Sequence, residues 1–256
     1  MLRATADAGF GLWFVLVFTI LTLLCVMCIA ILPGLHRRQR VVAKFARGVF
    51  LFTGSSPACT GMDILPDGPV IVVANHASYL DGILMTAVLP PRFSFVIKSE
   101  MSRVPLAGFL LRRIDSFFVD RGTKSARSTG QARQIITAAR DGRALGFFPE
   151  GTFRHEAGLL KFYNGAFSAA LAGNMPIVPC AITGTRAMLA ADHRLPRWGR
   201  LSVTLLPLIE VDKRDPDQTV AVLRDQARNA ILAHCGEHDA SDVTLPKPGS
   251  PAPSSA

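Results

Sequence analysis

The chain has 256 residues, 49% of them hydrophobic, and it carries 28 lysines and arginines against 19 aspartates and glutamates, a formal net charge of +9. This size accommodates one catalytic domain with its own core and leaves little room for a second large domain. The positive charge suits anionic membranes, acidic proteins or phosphate-bearing substrates. Nucleic acid is not an expected partner, because the sequence has no base-reading helix, zinc-finger spacing or aromatic RNA-binding motif.

The N-terminal segment is the first predicted element. Residues 10–32 include no charged side chain, and 23 residues at a 1.5 Å rise give about 35 Å of helix, enough to cross a bilayer. We predict an uncleaved membrane anchor over residues 1–38, with a transmembrane helix at about 10–32. A helix that lies along one leaflet is the alternative.

Basic residues follow this segment at once, among them Arg37, Arg38 and Arg40, whereas Arg3 stands alone before it. The positive-inside rule then places everything after residue 36 in the cytoplasm. We therefore predict a single-pass protein of the inner membrane with a cytoplasmic catalytic domain. Five scattered cysteines, an odd number, argue against a disulfide framework and fit a reducing compartment.

The catalytic domain is predicted to extend over residues 39–236. Residues 41–52 form an amphipathic helix that suits a bilayer surface or the face of the domain. Predicted strands follow at 70–74, 93–98, 116–119, 144–148, 177–182 and 201–206. Predicted helices lie at 82–89, 104–111, 124–140, 165–172 and 218–234. This alternation predicts an α/β fold, a largely parallel mixed sheet flanked by helices. Residues 237–256 are predicted to be a disordered tail, because their composition buries little apolar surface.

The stretch IVVANHASYLDG at residues 71–82 is the centre of the predicted site. Three β-branched residues deliver His76 to the end of a strand, which is where sites form in open α/β sheets. The turn into the next helix can fold Asp81 back onto the imidazole. The spacing alone is weak evidence, because His234 and Asp239 share it in a polar stretch with no preceding strand.

Three more strand ends carry polar or turn-forming residues. Arg121 follows the strand that ends at 119, Glu150 follows the strand that ends at 148, and Pro179 follows Val178. The carboxyl ends of parallel strands meet at one edge, so Arg121 and Glu150 are expected to share a cleft with His76 and Asp81. The blocks NHASYLD, FFVDRG, FPEGTF and PIVPCAITG, in this order, resemble the four sequence blocks of the glycerophospholipid acyltransferases, typified by 1-acylglycerol-3-phosphate acyltransferase. The resemblance covers about residues 65–210.

The resemblance implies transfer of a fatty acyl group from acyl-CoA or acyl carrier protein to a hydroxyl of a lysophospholipid. His76 would be the general base and Asp81 would orient it, which the chemistry of an imidazole supports. The blocks imply Arg121, Glu150, Gly151 and Thr152 as substrate-binding residues, and Arg154, directly after the third block, is expected to bind the anionic head group with Arg121. Pro179 would shape a turn beside the acyl pocket. No metal and no bound cofactor are expected, since the acyl donor is a co-substrate. The expected partners are the lysophospholipid, the donor and membrane lipids.

Two departures from the family pattern leave the acceptor open. Phe153 stands where an arginine commonly follows FPEGT, and Tyr163 precedes Asn164 where basic residues are frequent. The first hypothesis is conversion of 1-acylglycerol-3-phosphate to phosphatidic acid, and the alternative is another lysolipid, such as a lyso-ornithine lipid. A catalytically silent lipid-binding protein is a hypothesis from a different class. An acyl-enzyme on Ser78 is a further option, although the sequence has no G-x-S-x-G turn.

Overall fold

A computed structural model describes residues 2–120 and 126–243 of the chain, and in this part the strands form one sheet. The strands are β1 (Ala58–Thr60), β2 (Ile71–Ala74), β3 (Ser94–Lys98), β4 (Phe117–Val119), β5 (Leu145–Phe147), β6 (Ile177–Thr183) and β7 (Ser202–Leu205). The helices are α1 (Leu2–Ile31), α2 (Leu35–Phe52), α3 (Leu80–Val88), α4 (Ala107–Arg113), α5 (Ala126–Arg140), α6 (Gly165–Gly173), α7 (Thr185–Met188) and α8 (Val220–Leu232). Short 3-10 helices occupy Met62–Ile64 and Ser99–Arg103.

The sheet has the order β1-β7-β6-β2-β5-β3-β4. All its neighbouring strands run parallel except β6 and β7, which pair antiparallel. The predicted fold class, a largely parallel mixed sheet flanked by helices, is confirmed. The sequence missed β1, because its three residues are exposed at the sheet edge and show no apolar alternation.

Strand β2 lies in the middle of the sheet and is buried on both faces. Ile71 and Val73 point to a core shared with α5, α6 and α8, whereas Val72 points to a second core shared with α2 and α3. Both faces of a parallel sheet are covered by helices, so such a strand is apolar at every position. This double coverage explains the uninterrupted run of β-branched residues that precedes His76.

Helix α1 packs lengthwise on the rest of the protein. Its buried positions form one stripe that includes Phe14, Val17, Cys25 and Ile29, while the opposite face exposes large apolar side chains. The Nε1 of Trp13 donates to the carbonyl of Phe52 at 3.1 Å. Residues 5–31 are long and apolar enough to cross a membrane, by length and composition alone.

Two sequence predictions are corrected by the packing. Residues 237–243, placed in a disordered tail, belong to the domain: Leu159 donates to the carbonyl of His238 at 2.8 Å, and Ala240 donates back to Leu159 at 3.0 Å. Residues 244–256 lie outside the described part of the chain. Pro179 lies inside β6 opposite Val73 rather than in a turn. Its carbonyl accepts from the amide of Leu206 at 2.8 Å, just past the end of β7, and proline has no N–H to return that bond.

Candidate active site

The end of β2 is fixed by a side chain that takes the place of the sheet ladder. The Nδ2 of Asn75 donates to the carbonyl of Ile182 at 2.9 Å, and the amide of Ile182 donates to Oδ1 of Asn75 at 2.7 Å. Asn75 is buried, so these bonds are shielded from water. The backbone therefore leaves the sheet at a defined point, directly before His76.

His76 and Asp81 form the predicted dyad. The Nδ1 of His76 is 2.9 Å from Oδ2 of Asp81, and the same oxygen accepts from the amides of Ala77 and Ser78 at 2.7 and 2.8 Å. Asp81 is fully buried, and the imidazole is 18% exposed. With a carboxylate acceptor at Nδ1, a neutral imidazole carries its proton there and leaves Nε2 as a base. The turn thus presents a basic nitrogen at the sheet edge.

The Ser78 hydroxyl is committed within the turn. Its Oγ donates to the carbonyl of Leu189 at 2.7 Å and accepts from the amide of Leu80 at 3.1 Å. Ser78 is also fully buried. A nucleophile needs an accessible oxygen with its proton directed at a base. The contacts of Ser78 therefore favour a structural role over an acyl-enzyme.

Aromatic side chains surround the imidazole, and the sequence did not indicate this. The ring of Phe148 stacks on His76 with centroids 4.4 Å apart, and Phe153 meets His76 at 4.6 Å with the planes at 64°. Tyr79 packs edge-on against Phe153 at 4.7 Å. Rings in such geometries restrict rotation and exclude water from the faces of the imidazole. The orientation of the base is thus set by packing as well as by Asp81.

Glu150 lies beneath this site and is 1% exposed. Its Oε1 accepts from the backbone amide of His76 at 2.6 Å, and its Oε2 accepts from the amide of Leu160 at 2.9 Å. Burial raises the pKa of Glu150 to about 8, against the opposing effect of the two backbone donors. Both oxygens are used by the protein itself, which points to a positioning role for a residue expected to bind substrate.

The neighbours of Glu150 form the turn after β5. Gly151 has a φ of +77°, a conformation that glycine adopts without strain. The Oγ1 of Thr152 donates to the carbonyl of Phe153 at 3.4 Å. Arg154 pairs with Glu156 at 2.9 Å, and both side chains are accessible to solvent. These three residues therefore share one loop with Glu150 and Phe153, both of which contact His76.

Arg121 lies outside the described residues, so its position is not part of this site geometry. The residue before it, Asp120, follows β4 at the same edge of the sheet as His76. Strand β4 is three places from β2, about 14 Å at the usual strand spacing.

The second His-x4-Asp pattern does not form a dyad. The Nδ1 of His234 is 2.8 Å from the carbonyl of Ala230, while Asp239 receives two bonds from Arg228. The absence of a strand before His234 correctly separated the two patterns. In the described ranges 2–120 and 126–243, no group of three His, Cys, Asp or Glu residues is placed to hold a metal ion.

Known proteins are similar to this chain in sequence and in fold. The family model described as Acyltransferase matches residues 56–183, half of the chain. The 1-acyl-sn-glycerol-3-phosphate acyltransferase of Saccharomyces cerevisiae is 27% identical over 217 residues, covering 82% of this chain and 72% of its own length. The alpha form from Bos taurus is 31% identical over 172 residues, 65% of this chain and 58% of its own length.

A bacterial relative and a solved structure agree with these matches. The 1-acyl-sn-glycerol-3-phosphate acyltransferase of Escherichia coli is 28% identical over 169 residues, 66% of this chain and 64% of its own length. The crystal structure of the 1-acyl-sn-glycerophosphate acyltransferase of Thermotoga maritima superposes with a TM-score of 0.75 at 19% identity, covering 90% of this chain and 95% of that one. The superposition supports the fold, and the family model supports membership. The chain belongs to the acyltransferase family.

Proposed function

We propose that the protein transfers a fatty acyl group from a thioester, acyl-CoA or acyl carrier protein, to a hydroxyl of a lysophospholipid. The acceptor is 1-acylglycerol-3-phosphate and the product is phosphatidic acid. The observation that carries the proposal is the His76–Asp81 dyad at the sheet edge, with Nε2 left as a base. The relatives from Saccharomyces cerevisiae, Bos taurus and Escherichia coli bear the name of this reaction, which supports the acceptor.

The proposed step is a direct transfer. Nε2 of His76 accepts the proton of the acceptor hydroxyl, while the oxygen of that hydroxyl attacks the carbonyl carbon of the thioester. The new C–O bond forms, the C–S bond breaks, and the thiolate takes the proton from the imidazolium. Asp81 stabilises the imidazolium through Nδ1 and holds its tautomer. Protein groups bind, orient and move one proton, and no covalent enzyme intermediate is formed.

Arg121 and Arg154 are the proposed ligands of the anionic head group, since guanidinium groups bind phosphate in a bidentate manner. Two contacts also favour a second acceptor, a lysolipid with a larger head group such as a lyso-ornithine lipid. Arg154 is paired with Glu156, and Phe153 rather than a cation covers the imidazole. Mass spectrometry of lipids after expression distinguishes the two, because the lysolipid consumed identifies the acceptor.

The proposed location is the cytoplasmic face of the inner membrane, with α1 lying along one leaflet. Both ends of the buried stripe, Phe14 and Ile29, pack on the protein, and they are about 22 Å apart along the helix. Arg113 also donates to the carbonyls of Ile29 and Ala30. A helix covered along one side by a polar domain has one face for lipid, which favours the in-plane arrangement over a single crossing.

Replacing the base tests the mechanism. His76→Ala should fold but lose about 10²–10⁴-fold or more in turnover, because the proton acceptor is removed. Release of free thiol from the donor, dependent on added lysolipid, measures the rate and also separates an enzyme from a silent lipid-binding protein. The matched control is His234→Ala, which should react at the wild-type rate. Near-normal turnover of His76→Ala would sink the mechanism.

A further inference from the structure

The loop of residues 153–160, here called the site loop, is held by an arginine that is not part of the turn from His76 to Asp81. The Nη1 of Arg186 donates to the carbonyls of Arg154, His155 and Glu156, at 2.5, 3.2 and 3.1 Å. One guanidinium nitrogen therefore gathers three consecutive carbonyls. Such convergence fixes the backbone of this part of the loop, because bonds from a charged donor are stronger than neutral ones.

The same guanidinium is anchored on its other side by Glu237. The Nε of Arg186 donates to Oε1 of Glu237 at 2.7 Å, and Oε2 of Glu237 accepts from the amide of Gly158. The side chains of this pair are 18% and 12% exposed. An ion pair with so little solvent contact is weakly screened. Arg186 and Glu237 thus hold the site loop at two places along its length.

The location of Arg186 follows from the end of β6. Gly184 has a φ of +87°, and a Cβ at this position would lie 2.0 Å from the carbonyl oxygen of Arg200. Only glycine fits, so the chain turns from β6 into α7 at this point. The turn sets the guanidinium against the site loop, which begins three residues after Glu150.

Phe153 connects this arrangement to the reaction. Phe153 directly precedes Arg154, whose carbonyl accepts from Arg186. The ring of Phe153 packs on His76 and Tyr79. We propose that Arg186 is a positioning residue for acyl transfer: by holding the site loop, it seats Phe153 against the imidazole and orients Nε2. The inference rests on the proposed function, since it assigns His76 the role of base.

A double-mutant cycle tests the coupling. Phe153→Ala and Arg186→Ala should each lower kcat, by about 10- to 100-fold, because a displacement of about 1 Å at the base costs up to this much. The acceptor KM should change less than kcat. If Arg186 acts through Phe153, the double variant should be no slower than Phe153→Ala alone. Losses that multiply in the double variant would contradict the proposal.

The control is Arg143→Ala, which removes an arginine that also holds a carboxylate, Asp115 at 2.6 Å, and a hydroxyl, Ser94 at 2.8 Å. Arg143 lies at the opposite edge of the sheet, before β5. Arg143→Ala should leave kcat unchanged, because this arginine precedes β5 at the end of the sheet away from His76. Arg186→Lys keeps the charge but offers one nitrogen for all partners, so it should recover part of the rate. If Arg186→Ala does not fold, the double-mutant cycle is measured with Arg186→Lys.

The outcomes also separate the two proposals. A folded wild-type protein without lysolipid-dependent thiol release would refute the proposed function. An active wild type with normal kcat in Arg186→Ala would refute the positioning role alone.

Discussion

Glu150 is a residue whose position in the sequence suggested contact with substrate and whose burial shows contact with the protein. Its carboxyl accepts from the amides of His76 and Leu160, so it joins the turn that follows β2 to the end of the site loop. Burial disfavours the charged form, so the pKa rises to about 8. Protonation of Glu150 therefore contributes to the stability of the folded chain.

A pH-dependent stability follows from this pKa. The folded chain binds the proton of Glu150 more tightly than the unfolded chain, whose ordinary value is 4.5. Its contribution is complete below about pH 4.5 and is lost as the pH rises through about 8, on the order of a few kcal/mol. We expect the Tm difference between wild type and Glu150→Gln to shrink from pH 5 to pH 9.

The glutamine variant is the reference because it does not titrate. Its amide nitrogen must face one of the two backbone donors, so one bond is lost at every pH and the variant should be less stable at pH 5. Thermal melts followed by intrinsic fluorescence measure both proteins. A difference in Tm that grows with rising pH would contradict the raised pKa.

Helix α1 has one face packed on the protein and an opposite face that is exposed. Its buried stripe packs on α2 and on the domain, and its other face exposes Leu16, Ile20, Leu23 and Met27. A contiguous apolar surface of this kind marks a contact with membrane or protein. In the proposed in-plane arrangement, this face is the one that enters the lipid.

Substitution on the exposed face tests the membrane contact. Leu16 and Leu23 are 50% and 45% exposed, so changing both to glutamate leaves the packed stripe intact. Burying two leucine side chains contributes about 3–6 kcal/mol, so the partition into anionic vesicles should fall at least about 100-fold. Sedimentation with vesicles measures it. Val222→Glu on α8, at a residue 49% exposed, is the control and should sediment like the wild type. Unchanged sedimentation of the double variant would rule out this face as the lipid contact.

The segment of residues 237–243 packs against α8 and the site loop. Asp239 accepts from Arg228 at 2.6 and 3.2 Å, and this guanidinium holds the pKa of Asp239 well below its usual range. Arg228 is buried and also donates to the carbonyls of Leu159 and Leu160. The C-terminal segment and α8 thus secure the far end of the site loop.

Truncation tests how much this segment stabilises the protein. A chain that ends at residue 236 lacks Glu237 and Asp239, so two arginines lose their carboxylates. Loss of one bond to a charged group costs about 1.5–3 kcal/mol, and the Tm should fall by roughly 5 °C or more. Calorimetry and the thiol-release assay measure stability and rate. A chain that ends at residue 243 keeps these contacts and serves as the control. Equal Tm values for the two truncations would contradict a stabilising role of residues 237–243.

Much of this architecture is encoded locally and was therefore predictable. Strands such as β2 are buried on both faces, so their sequence is apolar throughout, and the order of strands and helices follows. The pairing of His76 with Asp81 was predictable as well, because five residues span one turn and the geometry of that turn is short-ranged. The length and hydropathy of α1 are likewise properties of the sequence alone.

Contacts between distant segments were decided by the tertiary structure. The contact of Glu150 with His76, the packing of Phe153 on the imidazole, and the bonds of Arg186 to the site loop join residues that lie 30 to 77 positions apart. No periodicity or motif encodes which side chain fills a given space. The sequence by itself determined most of the strands and helices, the pairing of His76 with Asp81 and an apolar helix, because each depends on neighbours in the chain. Only the folded structure decided how the imidazole of His76 is held and which face of α1 is left exposed, because packing selects among many partners of similar chemistry.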